Sequence, residues 1–293
     1  INLKEFRRIL PYMPDMEGWI GAEAHYIDSG PYMMVSSDLR IDEFKYEGSA
    51  LGNWELGGVY LPGEAKDHHL DAYIRHDGEE IAHLGGIYLP AEEGTGSLSA
   101  DIAFEHFPLN VANPFVPDRM VELDGDIDGT LSMKGDPAKP LLNGELALDS
   151  VTFFMPEMSA MFRFDNEPVQ VVNSKMMFKE FDIFTKGKTP FTINGEVDFS
   201  DLERTAVNLK MHAENYELLN APRTKRAMVY GKMYVDFNAT LRGPVEELVM
   251  RGNMNILGKT NVTYVLKDSP LTVNDRLGDM VTFVNFNDTT SVE

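Results

Sequence analysis

The sequence predicts an all-β protein: an elongated, curved sheet, built by repetition, that forms an apolar groove and carries one short helix at its start. Three observations carry that expectation. Apolar residues recur at every second position over most of the chain, the period of a strand with one greasy face. Two neighbouring stretches repeat at a fixed offset, and glycines recur at the middle of three alternating series.

Taken in order, Leu3, Phe6, Ile9 and Leu10 fall on one side at helical spacing before Pro11, which predicts a short helix. Period two begins with LRIDEFKYEG at 39–48. LGGVYLP at 56–62 then returns as LGGIYLP at 84–90, and LDAYI at 70–74 returns as LSADI at 98–102, both at an offset of 28 residues. A constant offset marks a repeat architecture in which each unit covers its neighbour's apolar side. Two strands per unit give an upper limit of about 21 strands, stacked at ~4.8 Å each. So many strands fit neither a small closed barrel nor one compact sandwich.

The glycine series are Leu142, Gly144, Leu146, Leu148; Phe191, Ile193, Gly195, Val197, Phe199; and Met250, Gly252, Met254, Ile256. Glycine inside a strand marks a bulge, a bend or a close backbone approach, so three long strands are expected to bend at matched positions. TLSMKGDPAKPLLNGELAL also parallels ATLRGPVEELVMRGNMNI, with the same nine-residue step between glycines. The loop FPLNVANPFVPDR at 107–119 is the best seam: it divides an N-terminal repeat region, 1–106, from the rest of the groove, 107–293, unless the whole is one continuous domain.

Composition narrows the function. The chain has 293 residues, 43% of them apolar, so it has ample material to bury. A formal charge of -21 argues against nucleic acid and against electrostatic docking on anionic headgroups. No apolar run approaches the ~20 residues of a membrane-spanning helix. There are no cysteines, hence no disulfide, thiolate metal site or thiol nucleophile. The start at Ile1 reads as an excised portion of something longer.

No reactive constellation stands out. Asp124, Asp126 and Asp128 open like a calcium loop, but the twelfth position is Gly135 where a bidentate Glu should close it. They read better as the wet side of a strand whose other side carries Ile127, Leu131 and Met133. His68 and His69 are adjacent, so on a strand they point to opposite faces. No nucleophile elbow, zinc helix, phosphate loop or dinucleotide fingerprint occurs, and no catalytic residue, metal or cofactor is expected.

What remains is the apolar face, which is also what an ordinary sandwich core would show. Its length, its 17 Met and 17 Phe, and the lack of amphipathic helices to cover it favour a lipid-binding groove. Strand parity selects as wall residues Leu146, Leu148, Ile193, Val197, Phe199, Met233, Val235, Phe237, Ala239, Leu241, Met250, Met254 and Ile256. A bulge at any of the glycines would invert the parity beyond it.

Four stretches carry a resemblance: FPLNVANPF at 107–115, LDGDIDGTLSMKGDPAKPLLNGELAL at 123–148, FTINGEVDFSDL at 191–202, and GKMYVDFNATLRGPVEELVMRGNMNILGKTNVTYVLKDSPLTV at 231–273. With them, roughly residues 100–290 resemble the AsmA-like superfamily, and within it the TamB group of translocation and assembly module proteins of diderm bacteria. The resemblance implies a β-taco fold that spans the periplasm, an inner-membrane anchor outside this segment, and an outer-membrane barrel of the TamA or BamA type as partner. It also implies one of two roles: bridge-like transfer of phospholipid between inner and outer membranes, or chaperoning of outer-membrane proteins by β-augmentation.

Overall fold

The structure is a computed structural model that describes residues 1–10, 12–28, 33–63, 67–91, 95–116, 120–156, 159–201, 204–223 and 228–265. The end of the fourth resembling stretch, 266–273, lies outside the described residues.

The chain opens with helix α1 (Leu3–Ile9), capped by the Asn2 side chain, which accepts the Lys4 N–H at 3.0 Å. An antiparallel meander follows: β1 (Met16–Asp28), β2 (Met33–Tyr46), β3 (Ser49–Pro62), β4 (His68–His76), β5 (Glu79–Leu89) and β6 (Ser97–Pro108). A 3-10 segment, Leu109–Phe115, leads to β7 (Glu122–Gly135) and β8 (Leu141–Met155). Then come β9 (Ala160–Phe164), β10 (Val169–Val172), β11 (Lys175–Phe184), β12 (Phe191–Asp198), β13 (Ala206–Ala221), β14 (Val229–Pro244), β15 (Val249–Ile256) and β16 (Asn261–Tyr264).

All sixteen strands belong to one sheet in which successive strands are neighbours. Two ladder positions are shared by broken strands. β9 and β10 both lie between β8 and β11, separated by Asp165-Asn166-Glu167-Pro168, whose proline cannot donate to a ladder. β15 and β16 both pair with β14. Where they part, the Thr260 hydroxyl accepts the Tyr234 N–H at 3.0 Å and so replaces the missing backbone partner. The 28-residue repeat is one hairpin, β3–β4, followed by its copy, β5–β6.

At the expected seam, Asn113 acts as a backbone mimic. Its amide donates to the Leu123 carbonyl at 2.8 Å and accepts the Leu123 N–H at 2.6 Å, while β6 and β7 pair directly beside it.

The curl comes from bulges. The register slips at β2, β6, β8, β11 and β13, where Glu43, His106, Ser150, Glu180 and Asn215 adopt left-handed backbone angles. Each added residue bends its strand and increases the local twist. The rolling is strongest beyond β8, where β9 touches β13 although β11 and β12 lie between them. The main core fills that roll: Phe162, Val169, Phe181, Ile183 and Leu219 are buried, with Phe153 stacked on Phe162 at 4.4 Å.

The glycines behave differently from the bulges. A Cβ on Gly144, Gly195 or Gly252 would lie 2.0–2.3 Å from a carbonyl oxygen of the adjacent strand, so these are sites of close backbone approach. Alternation passes unbroken through Gly195 on β12 and through the whole of β14, whereas on β8 it switches at Ser150.

Candidate functional site: one apolar face across the sheet

Directly opposed residues of an antiparallel pair share a face, so register traces each face across the sheet. One line runs Ala22, Leu39, Leu56, Ile74, Ala82, Phe104, Gly129, Leu146, Val169. It continues one pleat along the strands as Val171, Met176, Val197, Val207, and then as Leu209, Leu241, Met250. The apolar face is therefore continuous from the first strand to the last.

The opposite face is polar and tied by charge. The Tyr73 hydroxyl donates to Glu55 at 2.9 Å and Asp38 at 3.0 Å, and these hydrogen bonds to carboxylates, Glu55 first, push its pKa to about 12. Arg75 lies over the Tyr73 ring at 4.2 Å and reaches Glu55 at 3.2 Å. Lys175 bridges Glu196 at 3.0 Å and Asp198 at 3.3 Å, which raises the pKa of its ammonium. Asp128 accepts the His106 N–H at 2.8 Å, so this residue of the DGDIDG stretch serves a bulge.

Register brings twelve of the thirteen candidate wall residues onto the apolar face, and Phe199, just beyond β12, meets that face beside Met133 and Leu142. Leu146 and Leu148 sit on β8, Ile193 and Val197 on β12 with Phe199 just after it, Met233, Val235, Phe237, Ala239 and Leu241 on β14, and Met250, Met254 and Ile256 on β15. Their surroundings differ. Val235 is 2% exposed and Ala239 is also buried, so both belong to the core. Leu148, Ile193 and Met233 pack against the aromatic cluster in the roll, and Phe237 stacks on Phe191 at 5.7 Å. Ile256 is 60% exposed, and every residue of β15 is exposed, because among the described residues this strand is the edge of the sheet.

One phenol is enclosed in the roll. Tyr216, opposite Val235, has no well-formed hydrogen bond to its hydroxyl among the described residues, and burial pushes its pKa to about 12. The hydroxyl of Thr185, which opposes that shift, donates its own proton to the Glu217 carbonyl at 2.6 Å.

Elsewhere the face is exposed in part, although Ala82, Ala100 and Leu131 are buried on it. Tyr26 is 62% exposed and Leu70 is 45% exposed. Two adjoining hollows lie on it. One of about 450 Å³ is lined by Tyr60, His68, Leu70, Tyr88, Leu98 and Met133 among others, and one of about 540 Å³ by Met133, Pro140, Leu142 and Phe199 among others. Met133 is common to both. Ser174 holds the rim of the second: it is buried, its hydroxyl accepts the Leu142 N–H at 3.0 Å, and its carbonyl accepts the Phe199 N–H at 3.0 Å. Lys139 and Asp201, 3.7 Å apart, lie at its mouth.

Parity on β8, β12, β14 and β15 led to the candidate residues, and the first hollow was missed. Its sequence signal was the 28-residue repeat, since Tyr60 and Tyr88, and Leu70 and Leu98, are equivalent positions in the two copies.

Among the described residues no helix is long and apolar enough to cross a membrane. No curated protein and no solved structure matches the chain. Residues 180–292 match the family model described as the TamB C-terminal domain, a match that begins in β11 and takes in β12 to β16. Over that segment, which belongs to the single antiparallel sheet, the chain is similar to the C-terminal domain of TamB.

Proposed function

We propose that this chain is a bridge-like lipid-transfer segment of the periplasm, along whose apolar face phospholipid acyl chains pass between the inner and outer membranes. The observation that carries the reading is the unbroken register line from Ala22 to Met250, exposed at Leu56 and at Met250 and buried at Val169 and Val171 inside the roll. Each methylene shielded from water gains roughly 0.8 kcal/mol, so a sixteen-carbon chain in the open periplasm costs on the order of 12 kcal/mol. A continuous greasy path lowers that barrier by position alone, and headgroups stay in water. In this reading the inner-membrane anchor lies outside the segment, and an outer-membrane barrel of the TamA or BamA type receives the lipid.

A photo-crosslinking residue at Phe237, and a second at Met254 on the exposed edge, should yield phospholipid adducts in cells. Val197→Arg combined with Met254→Arg should abolish them while circular dichroism shows an intact sheet. Normal adducts in that variant would remove the support for the reading.

The edge of β15, unpaired among the described residues, favours one other role, chaperoning outer-membrane proteins by pairing with their strands. In that case the adducts at Met254 would be unfolded barrel strands and not lipid.

A further inference from the structure

The two copies of the hairpin repeat differ at one telling position. Tyr60 and Tyr88, Leu70 and Leu98, and Ala72 and Ala100 are matched pairs, but His68 of the first copy is Gly96 in the second. In the folded sheet His68 stands opposite Tyr88. Its ring is stacked on Tyr60 at 5.7 Å and tilted against Tyr88 at 5.8 Å. Gly96 leaves the room for this, because a Cβ there would lie 2.7 Å from the Tyr88 hydroxyl. Repetition thus built an apolar hollow, and a single non-repeated imidazole was set between its two tyrosines.

The imidazole is wired at one end. Nδ1 of His68 is hydrogen-bonded to the Tyr60 hydroxyl, and in the tautomer where it accepts the phenol's proton, Nε2 carries a hydrogen and remains a donor. Tyr88 is engaged elsewhere, donating to the Thr95 carbonyl at 2.9 Å. The hollow measures about 450 Å³, within the usual range for a small-molecule site. Among the described residues its lining has no Asp or Glu, although the chain carries 47 of them. Carboxylates on neighbouring strands face the other way: Asp67 is paired to His69 at 2.7 Å, and Asp71 to His83 at 3.2 Å.

We infer that this hollow is a discrete binding site for a single-chain amphiphile with an oxyanion head, a carboxylate or a phosphate monoester. The chain lies against Leu70, Leu84, Leu98 and Met133, and the oxyanion accepts from His68 Nε2. Apolar walls alone would hold any hydrocarbon; the imidazole, in a lining whose described residues include no acid, selects the head. The inference rests on the proposed lipid path in that it lies on the same face, and it names residues that path does not require.

The test uses the purified chain and three probes: myristate, myristoyl lysophosphatidic acid and tetradecanol, each displacing a fluorescent fatty acid. The two oxyanion probes should bind more tightly than the alcohol, and they separate carboxylate from phosphate as the favoured head. His68→Ala should weaken both by roughly tenfold or more and leave tetradecanol unchanged, as expected for loss of a hydrogen bond to a charged group. Leu70→Asp, at an exposed position that tolerates polarity, should weaken all three. The inference is overturned if the wild-type chain binds none of the probes, if His68→Ala changes nothing, or if it weakens all three alike, which would mean packing. Phospholipid adducts at Phe237 that persist in His68→Ala while the probe pattern fails would sink this site alone; their absence from the wild-type chain would sink the lipid path.

Discussion

The side-chain oxygen of Asn194 accepts the backbone N–H of Glu180 at 2.9 Å, holding a left-handed residue of one strand from the strand beside it. The relation recurs between Asp236 and Asn215 at 2.7 Å, Asp128 and His106 at 2.8 Å, and Asn53 and Glu43 at 2.9 Å. In every case the bulge lies on one strand and its cap on the next, so a bend that costs backbone strain is stabilised across the ladder.

Removing such a cap should therefore weaken the sheet by about 1 kcal/mol, the typical net worth of a hydrogen bond. Asn194→Ala and Asp236→Ala should each show this loss in urea titration. Asn194→Asp, which keeps the acceptor oxygen, should lose less than Asn194→Ala.

Two glycines should be far less replaceable. Gly129 and Gly195 have φ of +143° and +136°, and an added Cβ would lie 2.2 Å and 2.1 Å from the carbonyls of Glu145 and Asn208. Gly129→Ala and Gly195→Ala should each cost about 2–4 kcal/mol, combining backbone strain with overpacking. Gly85→Ala meets nothing within 4 Å and should fall within about 0.5 kcal/mol of wild type in the same unfolding assay.

Ser174 offers a sharper comparison, because its hydroxyl and its backbone make separable demands. The hydroxyl accepts from Leu142 N–H and donates to the Pro140 carbonyl at 3.2 Å, while φ is +60°. Ser174→Ala should cost about 1–3 kcal/mol by leaving the Leu142 N–H without its partner. Ser174→Gly loses the same bonds but suits the left-handed backbone, so thermal unfolding should rank it between wild type and the alanine variant.

Tyr216 should give the chain a limit in alkali. Its folded pKa of about 12 lies above the ordinary value of 10. Below pH 10 both states keep the proton and no stability is lost. Between about pH 10 and pH 12 the unfolded chain releases it and the folded chain does not, so stability falls as pH rises. The loss through this residue should be on the order of 1 kcal/mol. Tyr216→Phe should flatten that part of the pH–stability curve at little cost near neutrality, since among the described residues the hydroxyl makes no well-formed hydrogen bond.

Much of this was legible from period two. Alternation on β12 and β14 gives the same face as the register, and the short helix ends where Pro11 requires it. The bulges were not legible. Glu43, Glu180 and Asn215 carry no glycine signature, because what permits their backbone angles is an Asn or Asp on another strand. The roll between β9 and β13 was hidden for the same reason: it depends on accumulated twist, and Val235 is buried there beside Tyr216 without any change of parity. The hollow at His68 needed both the repeat, which the sequence displays, and the pairing with Tyr88, which it does not.

The hairpin repeat makes the span of this protein a matter of counting. Each 28-residue unit adds two rungs of ~4.8 Å, so duplicating or deleting one unit changes the length by about 10 Å and leaves the cross-section as it was. Under the proposed transfer role, a greater distance between membranes could be met by copying a hairpin, with no need to redesign the path itself.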